Sequence, residues 1–346
     1  MHSDAPLGIT IGIDLMGSDR SPQLLFEAIQ QAACELPATA TLIAIATPEL
    51  ISSLQTSFSS SFSSSNLAAS SSAKIEFAPA EEIVTMEESP LAAIRSKKRS
   101  SLAVGISLLK KRSINAFISA GNTGALIGFA RLLLPMLPGI QRPALLAVIP
   151  TITGSVAVLD VGANVSCKAS QLVEFAQLGI TYQRHMQNIP NPSAGLLNIG
   201  VEAGKGTVEL REAYQILEQQ RLEGKINFIG NVEGREVFQG KVDVLVTDGF
   251  TGNVFLKTSE GVSAFVFEGL KGALTSDSSK EIKKETEKET GEILSTLKKR
   301  FDYTEYPGAI LCGVEGIVIK CHGNAGSKAI INGIKRAFRL ASHQPL

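Results

Sequence analysis

Residues 242–260 read V-D-V-L-V-T-D-G-F-T-G-N-V-F-L-K-T-S-E, and this stretch indicates the fold more clearly than any other. Its apolar run, Val244–Val246, is short and contains β-branched residues, which is typical of a strand buried on both faces. The strand ends at Asp248, and the chain becomes compatible with a helix after Asn253. In α/β sheets, ligands bind beside the carboxyl ends of strands and the amino ends of the helices that follow. The stretch therefore predicts either a ligand-binding strand exit or an ordinary tight turn capped by Asp and Asn.

Strands and helices are predicted to alternate along most of the chain. The strand candidates are residues 9–14, 41–46, 74–77, 116–119, 144–150, 156–160, 194–199, 226–230, 244–246, 308–313 and 316–320. Helical segments follow most of them, including residues 170–186 and 327–340. This alternation favours an α/β fold in which helices cover both faces of a parallel sheet.

Composition and charge exclude several functional classes. The chain of 346 residues carries 33 Lys and Arg against 33 Asp and Glu, so no net field favours nucleic acid. Its four cysteines form no C-x-x-C motif and have no metal-ligand spacing with the four histidines, which predicts a reduced, cytoplasmic protein without a metal. The N-terminal residues do not resemble a signal peptide, and no run of about 18 uncharged apolar residues could span a bilayer.

Common catalytic motifs are missing from the sequence. It contains no G-x-G-x-x-G, G-x-S-x-G or H-E-x-x-H pattern. Residues 200–206 approach a P-loop, but the spacing is one residue short and Gly206 replaces the Ser or Thr that would hold magnesium. Cys321 and His322 are adjacent, and on an extended strand end their side chains would point to opposite faces, so a catalytic dyad is not predicted. The Gly-rich strand exits that remain suit oxyanion binding and a reaction between two substrates.

The composition of four further segments predicts their structure or their contacts. Residues 52–72 contain twelve serines and predict a flexible surface insertion. Basic residues cluster at 95–99, either as a solvated face or as a landing patch for an acidic partner or phosphate groups. Apolar side chains at 262, 265, 266 and 270 have helical spacing, which predicts core packing or a dimer seam. Residues 280–300 are highly charged and predict an exposed helix.

Several strand exits carry longer motifs, which together resemble one known family. The motifs are D-L-M-G at 14–17 with Asp19, S-A-G-N-T-G-A at 119–125, L-D-V-G-A-N at 159–164, L-N-I-G at 197–200 with K-G at 205–206, I-G-N-V-E-G-R at 229–235, D-G-F-T-G-N at 248–253 and K-C-H-G at 320–323. This series closely resembles the bacterial phosphate acyltransferases of phospholipid synthesis. Because the likeness covers nearly the whole chain in order, we predict a single domain over residues 1–346. The segment at 248–253 is also similar to the D-x-x-x-G-N segment of phosphotransacetylases.

The resemblance implies a Rossmann-like three-layer α/β/α fold with a mostly parallel sheet, of the isocitrate/isopropylmalate dehydrogenase type. It implies that acyl-(acyl carrier protein) and orthophosphate react to give acyl phosphate and free carrier protein. It also implies a cytoplasmic homodimer with loose peripheral attachment to the inner face of the cell membrane, and a membrane-bound glycerol-3-phosphate acyltransferase downstream. No metal or organic cofactor is indicated. The basic residues at 95–99 or 298–300 are candidates for docking the acidic carrier protein.

In this reaction phosphate would attack the thioester carbonyl directly, and the protein would act through positioning and electrostatics. Lys205, Asn231 and Arg235 are predicted to form the phosphate and oxyanion environment together with the loop at 120–124. Asp248 is predicted to orient or deprotonate phosphate, and Asn253 to donate a hydrogen bond. The other predicted pocket residues are Gly121, Asn122, Thr123, Gly124, Asn164, Asn198 and Gly252.

Protonation of the departing sulfur is assigned to His322. Two other functions stay open at this point. A phosphotransacetylase acting on a small acyl-coenzyme A would share the fold, and dependence on carrier protein would separate it from the first function. A non-catalytic scaffold that localises lipid enzymes at the membrane is the second alternative, and the joint presence of Asp248, Asn253 and Lys205 speaks against it.

Overall fold

The protein is described by a computed structural model over residues 8–62, 72–276 and 308–343. Two compact units are present in the chain. Unit 1 contains the described residues up to 147 together with 181–190 and 308–343, and unit 2 contains residues 148–180 and 191–276. The single domain over 1–346 stays a prediction.

Eleven strands and ten helices are defined within the described ranges. The strands are β1 (Thr10–Asp14), β2 (Thr41–Ala46), β3 (Lys74–Pro79), β4 (Ala116–Ser119), β5 (Ala144–Pro150), β6 (Ser155–Leu159), β7 (Ser193–Asn198), β8 (Asn227–Glu233), β9 (Val244–Val246), β10 (Ala309–Cys312) and β11 (Ile317–Lys320). The helices are α1 (Pro22–Glu35), α2 (Pro48–Phe62), α3 (Pro90–Ser96), α4 (Ser101–Lys110), α5 (Thr123–Leu133), α6 (Ala169–Met186), α7 (Val208–Leu222), α8 (Gly234–Val237), α9 (Gly249–Ser276) and α10 (Ser327–Ser342).

The strands of unit 1 have the order β3-β2-β1-β4-β11-β10-β5. Strands β3, β2, β1, β4 and β11 run parallel, whereas β10 is antiparallel to both of its neighbours. Ile11, Leu42 and Phe117 are fully buried side chains of this sheet. The parallel pairing places the carboxyl ends of β1, β4 and β11 next to one another at one edge.

The strands of unit 2 have the order β6-β9-β7-β8 and are all parallel. The apolar run of β9 is fully buried, as its sequence predicts. Because the four strands are parallel, their carboxyl ends share one edge, which carries the segments 160–164, 198–206, 231–235 and 247–253. The predicted α/β fold with mostly parallel strands is confirmed.

Some predicted elements differ from those in the structure. The basic residues at 95–99 lie where two helices meet, because α3 ends at Ser96 and the Ser100 hydroxyl caps α4 by accepting from the N–H of Ala103. Residues 52–62 of the predicted flexible insertion lie in α2, whereas 63–71 and the charged segment 280–300 lie outside the described residues. None of the described helices combines the length and the apolar character needed to cross a bilayer.

Candidate active site

Unit 1 contains a buried polar cluster where β1 and β4 end. The Ser119 hydroxyl donates to Asp14 Oδ2 over 2.7 Å and accepts from the N–H of Gly121 over 2.9 Å. The other carboxylate oxygen of Asp14 accepts from the N–H of Met16 over 2.9 Å. Burial raises the pKa of Asp14 to about 6, because desolvation outweighs these hydrogen bonds and the nearby charge of Lys320. This edge of the sheet therefore holds a carboxyl group that titrates near neutral pH.

Lys320 joins the same cluster from the end of β11. Its side chain is buried, and Nζ donates to the carbonyl oxygen of Ala120 over 3.4 Å and to that of Cys321. Burial raises the pKa of the Cys321 thiol to about 11, so little thiolate is present at neutral pH. His322 is exposed. Cys321 is thus a poor nucleophile, in agreement with the sequence argument against a Cys–His dyad.

The loop at 120–124 leads from β4 into α5. Asn122 caps this helix, since its Oδ1 accepts from the N–H of Ala125 over 3.0 Å. Its Nδ2 lies 3.0–3.2 Å from three backbone carbonyls, those of Thr85, Met86 and Glu88. Asn122 therefore anchors a neighbouring loop, while the helix geometry leaves the N–H groups of Thr123 and Gly124 without an intrahelical acceptor.

In unit 2, Asp160 organises the loop that follows β6. The carboxylate is fully buried, and Oδ1 accepts from the N–H groups of Gly162 and Ala163 over 3.1 and 2.9 Å. Oδ2 accepts from both the N–H and the side-chain Nδ2 of Asn164, over 2.6 and 2.9 Å. One carboxylate thus receives four donors from the 160–164 loop and fixes its shape.

The start of α9 packs directly against this loop. A Cβ atom at Gly249 would lie 2.5 Å from the carbonyl oxygen of Asn164 and 2.7 Å from Asp160 Oδ2. A Cβ at Gly252 would lie 2.8 Å from Thr247 Cγ2 and still closer to the carbonyl oxygen of Asp160. The two glycines of the D-G-F-T-G-N motif are therefore required by close approach of the backbones.

The polar residues of that motif are engaged within the protein. Asp248 accepts from Thr251 twice, from the N–H and from the hydroxyl, each over 2.8 Å. Asn253 Nδ2 donates to the carbonyl oxygen of Val161 over 2.9 Å. Asp248 thus caps the first turn of α9, and Asn253 ties this turn to the 160–164 loop.

Asn198 and Lys205 lie on the loop after β7. The buried Asn198 accepts from the N–H of Ile199 over 2.8 Å and donates to the carbonyl oxygen of Lys205 over 3.1 Å. The next residue, Gly206, has a φ of 88°, a conformation that favours glycine. The side chain of Lys205 is exposed. The loop is therefore closed by Asn198 and presents a lysine to solvent.

Asn231 and Arg235 come from β8 and α8. Asn231 is buried and donates through Nδ2 to the carbonyl oxygen of Glu202 over 2.8 Å, whereas its Oδ1 accepts no hydrogen bond from any described residue. Arg235 is 81% exposed and pairs through Nε with Glu233 over 2.7 Å. A buried acceptor without a partner is uncommon in folded proteins and indicates a place for a ligand or water.

The predicted site residues thus fall on two sheet edges, each within its own unit. The edge of unit 1 carries Gly121, Asn122, Thr123, Gly124 and His322, and that of unit 2 carries Asn164, Asn198, Lys205, Asn231, Arg235, Asp248, Gly252 and Asn253. Sequence reasoning did not select Asp14, Ser119, Asp160 and Lys320 as site residues, although each stands within a quoted motif. The sequence pattern that could have identified them is a charged or hydroxyl residue at the last position of an apolar strand or directly after it. No group of three or more metal-ligating side chains is present in the part of the chain that the structure describes.

Comparisons with known proteins agree with the motifs. Residues 9–346 match the family described as "Fatty acid synthesis protein". The chain is 40% identical to the phosphate acyltransferase of Chlamydia pneumoniae, over 96% of this chain and 95% of that protein. It is 38% identical to the phosphate acyltransferase of Thermoanaerobacter pseudethanolicus, over 97% of this chain and 95% of that protein.

Solved structures share the fold at low sequence identity. A phosphotransacetylase from Streptococcus pyogenes is 15% identical with a TM-score of 0.61, over 96% of this chain and 94% of that chain. The EutD phosphotransacetylase from Staphylococcus aureus is 15% identical with a TM-score of 0.57, over 97% of this chain and 94% of that chain. The likeness concerns the fold, and the predicted Rossmann-like α/β fold is confirmed.

Proposed function

The chain belongs to the phosphate acyltransferase family, and from this premise we propose that it transfers a long-chain acyl group from acyl carrier protein to orthophosphate. It is an acyltransferase, and its acyl transfer to phosphate serves fatty acid and phospholipid synthesis. A membrane-bound glycerol-3-phosphate acyltransferase would then consume the acyl phosphate.

In the proposed reaction a phosphate oxygen attacks the carbonyl carbon of the thioester. A C–O bond forms while the carbonyl electron pair moves onto oxygen, and the tetrahedral oxyanion collapses with cleavage of the C–S bond. The oxyanion electron pair re-forms the carbonyl, and the sulfur leaves with the electron pair of the broken C–S bond. The sulfur then takes up a proton, for which we propose the exposed His322 as the donor. This reaction needs no nucleophile from the protein, so catalysis depends on positioning and on stabilisation of the oxyanion.

The observation that carries the proposal is the row of buried asparagines at the carboxyl edge of unit 2. Asn164 and Asn198 hold their own loops through hydrogen bonds, whereas Asn231 Oδ1 accepts none from the residues that the structure describes. Hydrogen phosphate has a P–OH group that can donate to such an acceptor. We therefore assign Asn231 Oδ1 to the protonated oxygen of the phosphate substrate.

Two cations on the same edge are proposed to balance the phosphate charge. Lys205 is exposed on a loop whose backbone is held by Asn198. Arg235 is exposed and can exchange its half-buried partner, Glu233, for phosphate, because ion pairs at the protein surface contribute little free energy. Asp248 is proposed to orient or deprotonate phosphate.

Other pocket residues are proposed to act more indirectly. Asn253 is a positioning residue that acts through the carbonyl of Val161, and Gly252 permits the close packing beneath it. In unit 1, the N–H groups of Thr123 and Gly124 are proposed to donate to an anionic oxygen, helped by the dipole of α5.

The acidic carrier protein is proposed to dock on the basic residues at 95–99 of unit 1. Lys97 and Arg99 are already held in ion pairs with glutamates of the chain, at 2.6 and 2.5 Å. Arg95 and Lys98 are exposed, and neither forms an ion pair with a described residue. These two charges are the ones that remain for an acidic partner. The other docking candidate, 298–300, lies outside the described residues.

We also propose a cytoplasmic homodimer with peripheral contact to the inner face of the cell membrane. Support comes from α9, on which Val262, Phe265, Val266 and Leu270 are 41–79% exposed. Apolar side chains at this spacing suit either a second copy of the chain or a lipid surface. Sedimentation and liposome flotation of the wild type and of Phe265→Glu would test both contacts, and an unchanged result in both assays would contradict them.

The proposed function is tested by measuring acyl phosphate trapped with hydroxylamine. Purified protein is given phosphate with palmitoyl-carrier protein or, in parallel, with acetyl-coenzyme A. Product from the carrier substrate alone is the expected result. Product from acetyl-coenzyme A alone would instead indicate a phosphotransacetylase, and product from neither substrate would favour the scaffold.

A further inference from the structure

Three buried polar side chains of unit 1 have no part in the chemistry proposed above. Asp14, Ser119 and Lys320 end the neighbouring strands β1, β4 and β11, and their exposed fractions are 2%, 1% and 8%. Burying a carboxylate and an ammonium group is unfavourable unless both are paired and hydrogen-bonded. The hydrogen bonds of this cluster are therefore needed to offset the cost of its burial.

Two hydrogen bonds of the cluster meet at one peptide group. The peptide between Ala120 and Gly121 offers one carbonyl and one N–H. The carbonyl of Ala120 accepts from Lys320 Nζ over 3.4 Å, and the N–H of Gly121 donates to Ser119 Oγ over 2.9 Å. Both ends of this peptide plane are held, and rotation of the plane would break both bonds at once.

Asp14 supports this arrangement from the adjacent strand. Its Oδ2 accepts the Ser119 hydroxyl proton over 2.7 Å, so the lone pairs of Ser119 Oγ are directed to the N–H of Gly121. A Cβ at Gly121 would lie 3.2 Å from Ser119 Oγ and 3.4 Å from Asp14 Oδ2, which leaves almost no room for a larger residue. The held peptide directly precedes Asn122, the cap of α5.

We propose that Asp14, Ser119 and Lys320 are positioning residues that hold the Ala120–Gly121 peptide, and through it the first N–H groups of α5, in the orientation that binds the phosphate substrate. This inference rests on the proposed function, in which the 120–124 loop contacts an anionic oxygen. Loss of the cluster should then weaken phosphate binding and raise KM for phosphate. Once phosphate and the acyl donor are both bound, they should still react, so kcat should change little.

The first test compares Ser119→Ala, which removes the bridging hydroxyl, with Ser119→Thr, which keeps it. Ser113→Ala, which changes an exposed serine in the turn before β4, is the matched control. We expect Ser119→Ala to raise KM for phosphate about tenfold, as for loss of one buried hydrogen bond, with kcat changed by less than about threefold. Ser119→Thr and the control should stay within about threefold of the wild type in KM.

The second test is a double-mutant cycle with Lys320→Met. Because both side chains hold one peptide, the increases in KM from Ser119→Ala and Lys320→Met should be clearly less than additive. Additive increases would mean that the two residues act separately and would overturn the inference. An unchanged KM for phosphate in Ser119→Ala, with a lowered unfolding temperature, would also overturn it, since that is the result of a purely structural role.

A replacement variant and a thermal unfolding measurement distinguish a folding defect from weaker phosphate binding. If Ser119→Ala does not fold, Ser119→Cys, which retains the volume and a weak donor, takes its place, and the same rise in KM is expected. Phosphate alone should raise the unfolding temperature of the wild type more than that of the variant, and an equal rise in both would contradict the inference without any assay of turnover. A wild type that forms no acyl phosphate would contradict the proposed function itself.

Discussion

Asp14 links protonation to stability through its burial. The pKa of its carboxyl is raised from 3.8 to about 6, with desolvation as the main cause. The folded protein therefore holds this proton more tightly than the unfolded chain, so the contribution of Asp14 to stability is greatest in acid and is lost as pH rises from about 4 to 6. The difference between the two pKa values corresponds to about 3 kcal/mol.

We therefore expect the free energy of unfolding of Asp14→Asn, relative to the wild type, to rise by up to about 3 kcal/mol between pH 4 and pH 7. Urea unfolding at several pH values measures this difference. Glu49→Gln, which removes an exposed carboxylate at the start of α2, serves as the control. A difference between Asp14→Asn and wild type that is constant with pH would contradict the expectation.

Lys205 is predicted to contribute directly to phosphate binding. Its exposed ammonium group is proposed to balance phosphate charge, so Lys205→Ala should raise KM for phosphate by about tenfold or more, as expected for loss of a hydrogen bond to a charged group. Lys225→Ala is the matched control, because this exposed lysine precedes β8 and lies at the opposite, amino end of the strand. Turnover of Lys205→Ala within a few-fold of the wild type under subsaturating phosphate would remove the lysine from the site.

Among the secondary-structure elements, α9 contains two glycines whose replacement by Ala distinguishes the effect of close packing on stability from that of helix propensity. Gly252→Ala places a methyl group against the carbonyl of Asp160, whereas Gly261→Ala, on the same helix, meets no atom within 4 Å. We expect Gly252→Ala to destabilise the protein by about 2–3 kcal/mol through overpacking. Gly261→Ala should instead stabilise it by up to about 1 kcal/mol, because Ala is the better helix former. Chemical denaturation of both variants measures this contrast, and equal effects would show that α9 does not depend on close approach to the 160–164 loop.

The elements that the sequence predicted best are those with a strong local pattern. Strands β2, β4 and β5 have the predicted bounds, since each is an unbroken apolar run between polar turns. Helix α7 was not predicted, because only Ala213 and Leu217 of its fifteen residues are buried and most of its exposed residues are polar. The serines of α2 favour loops by composition, yet the segment begins with Pro48 in a first turn and continues the helix to Phe62.

Across the whole molecule, local patterns predicted the polar strand exits but not the hydrogen bonds that join them. The strand exits at 119–125 and 248–253 were found because glycine, amide and carboxylate residues follow apolar runs. The bond from Ser119 to Asp14 joins positions 105 residues apart, and that from Lys320 to Ala120 spans 200. Such contacts depend on strand order, in which β11 lies beside β4, and a single sequence does not contain that order.

The charge distribution of the whole molecule leads to a test of the acyl donor. With 33 basic and 33 acidic residues, the protein has no net attraction for an acidic carrier, so docking must depend on local charge. Arg95 and Lys98 are the cations of the 95–99 cluster that form no ion pair with a described residue. The double variant Arg95→Glu/Lys98→Glu should therefore raise KM for palmitoyl-carrier protein about tenfold at low ionic strength and leave KM for phosphate unchanged. The effect should shrink as salt is added, since exposed charges are screened.

Lys110→Glu/Lys111→Glu makes the same change in net charge at the exposed end of α4 and should have little effect on either constant. Equal effects of the two double variants would mean that the carrier responds to net charge alone and does not dock at 95–99.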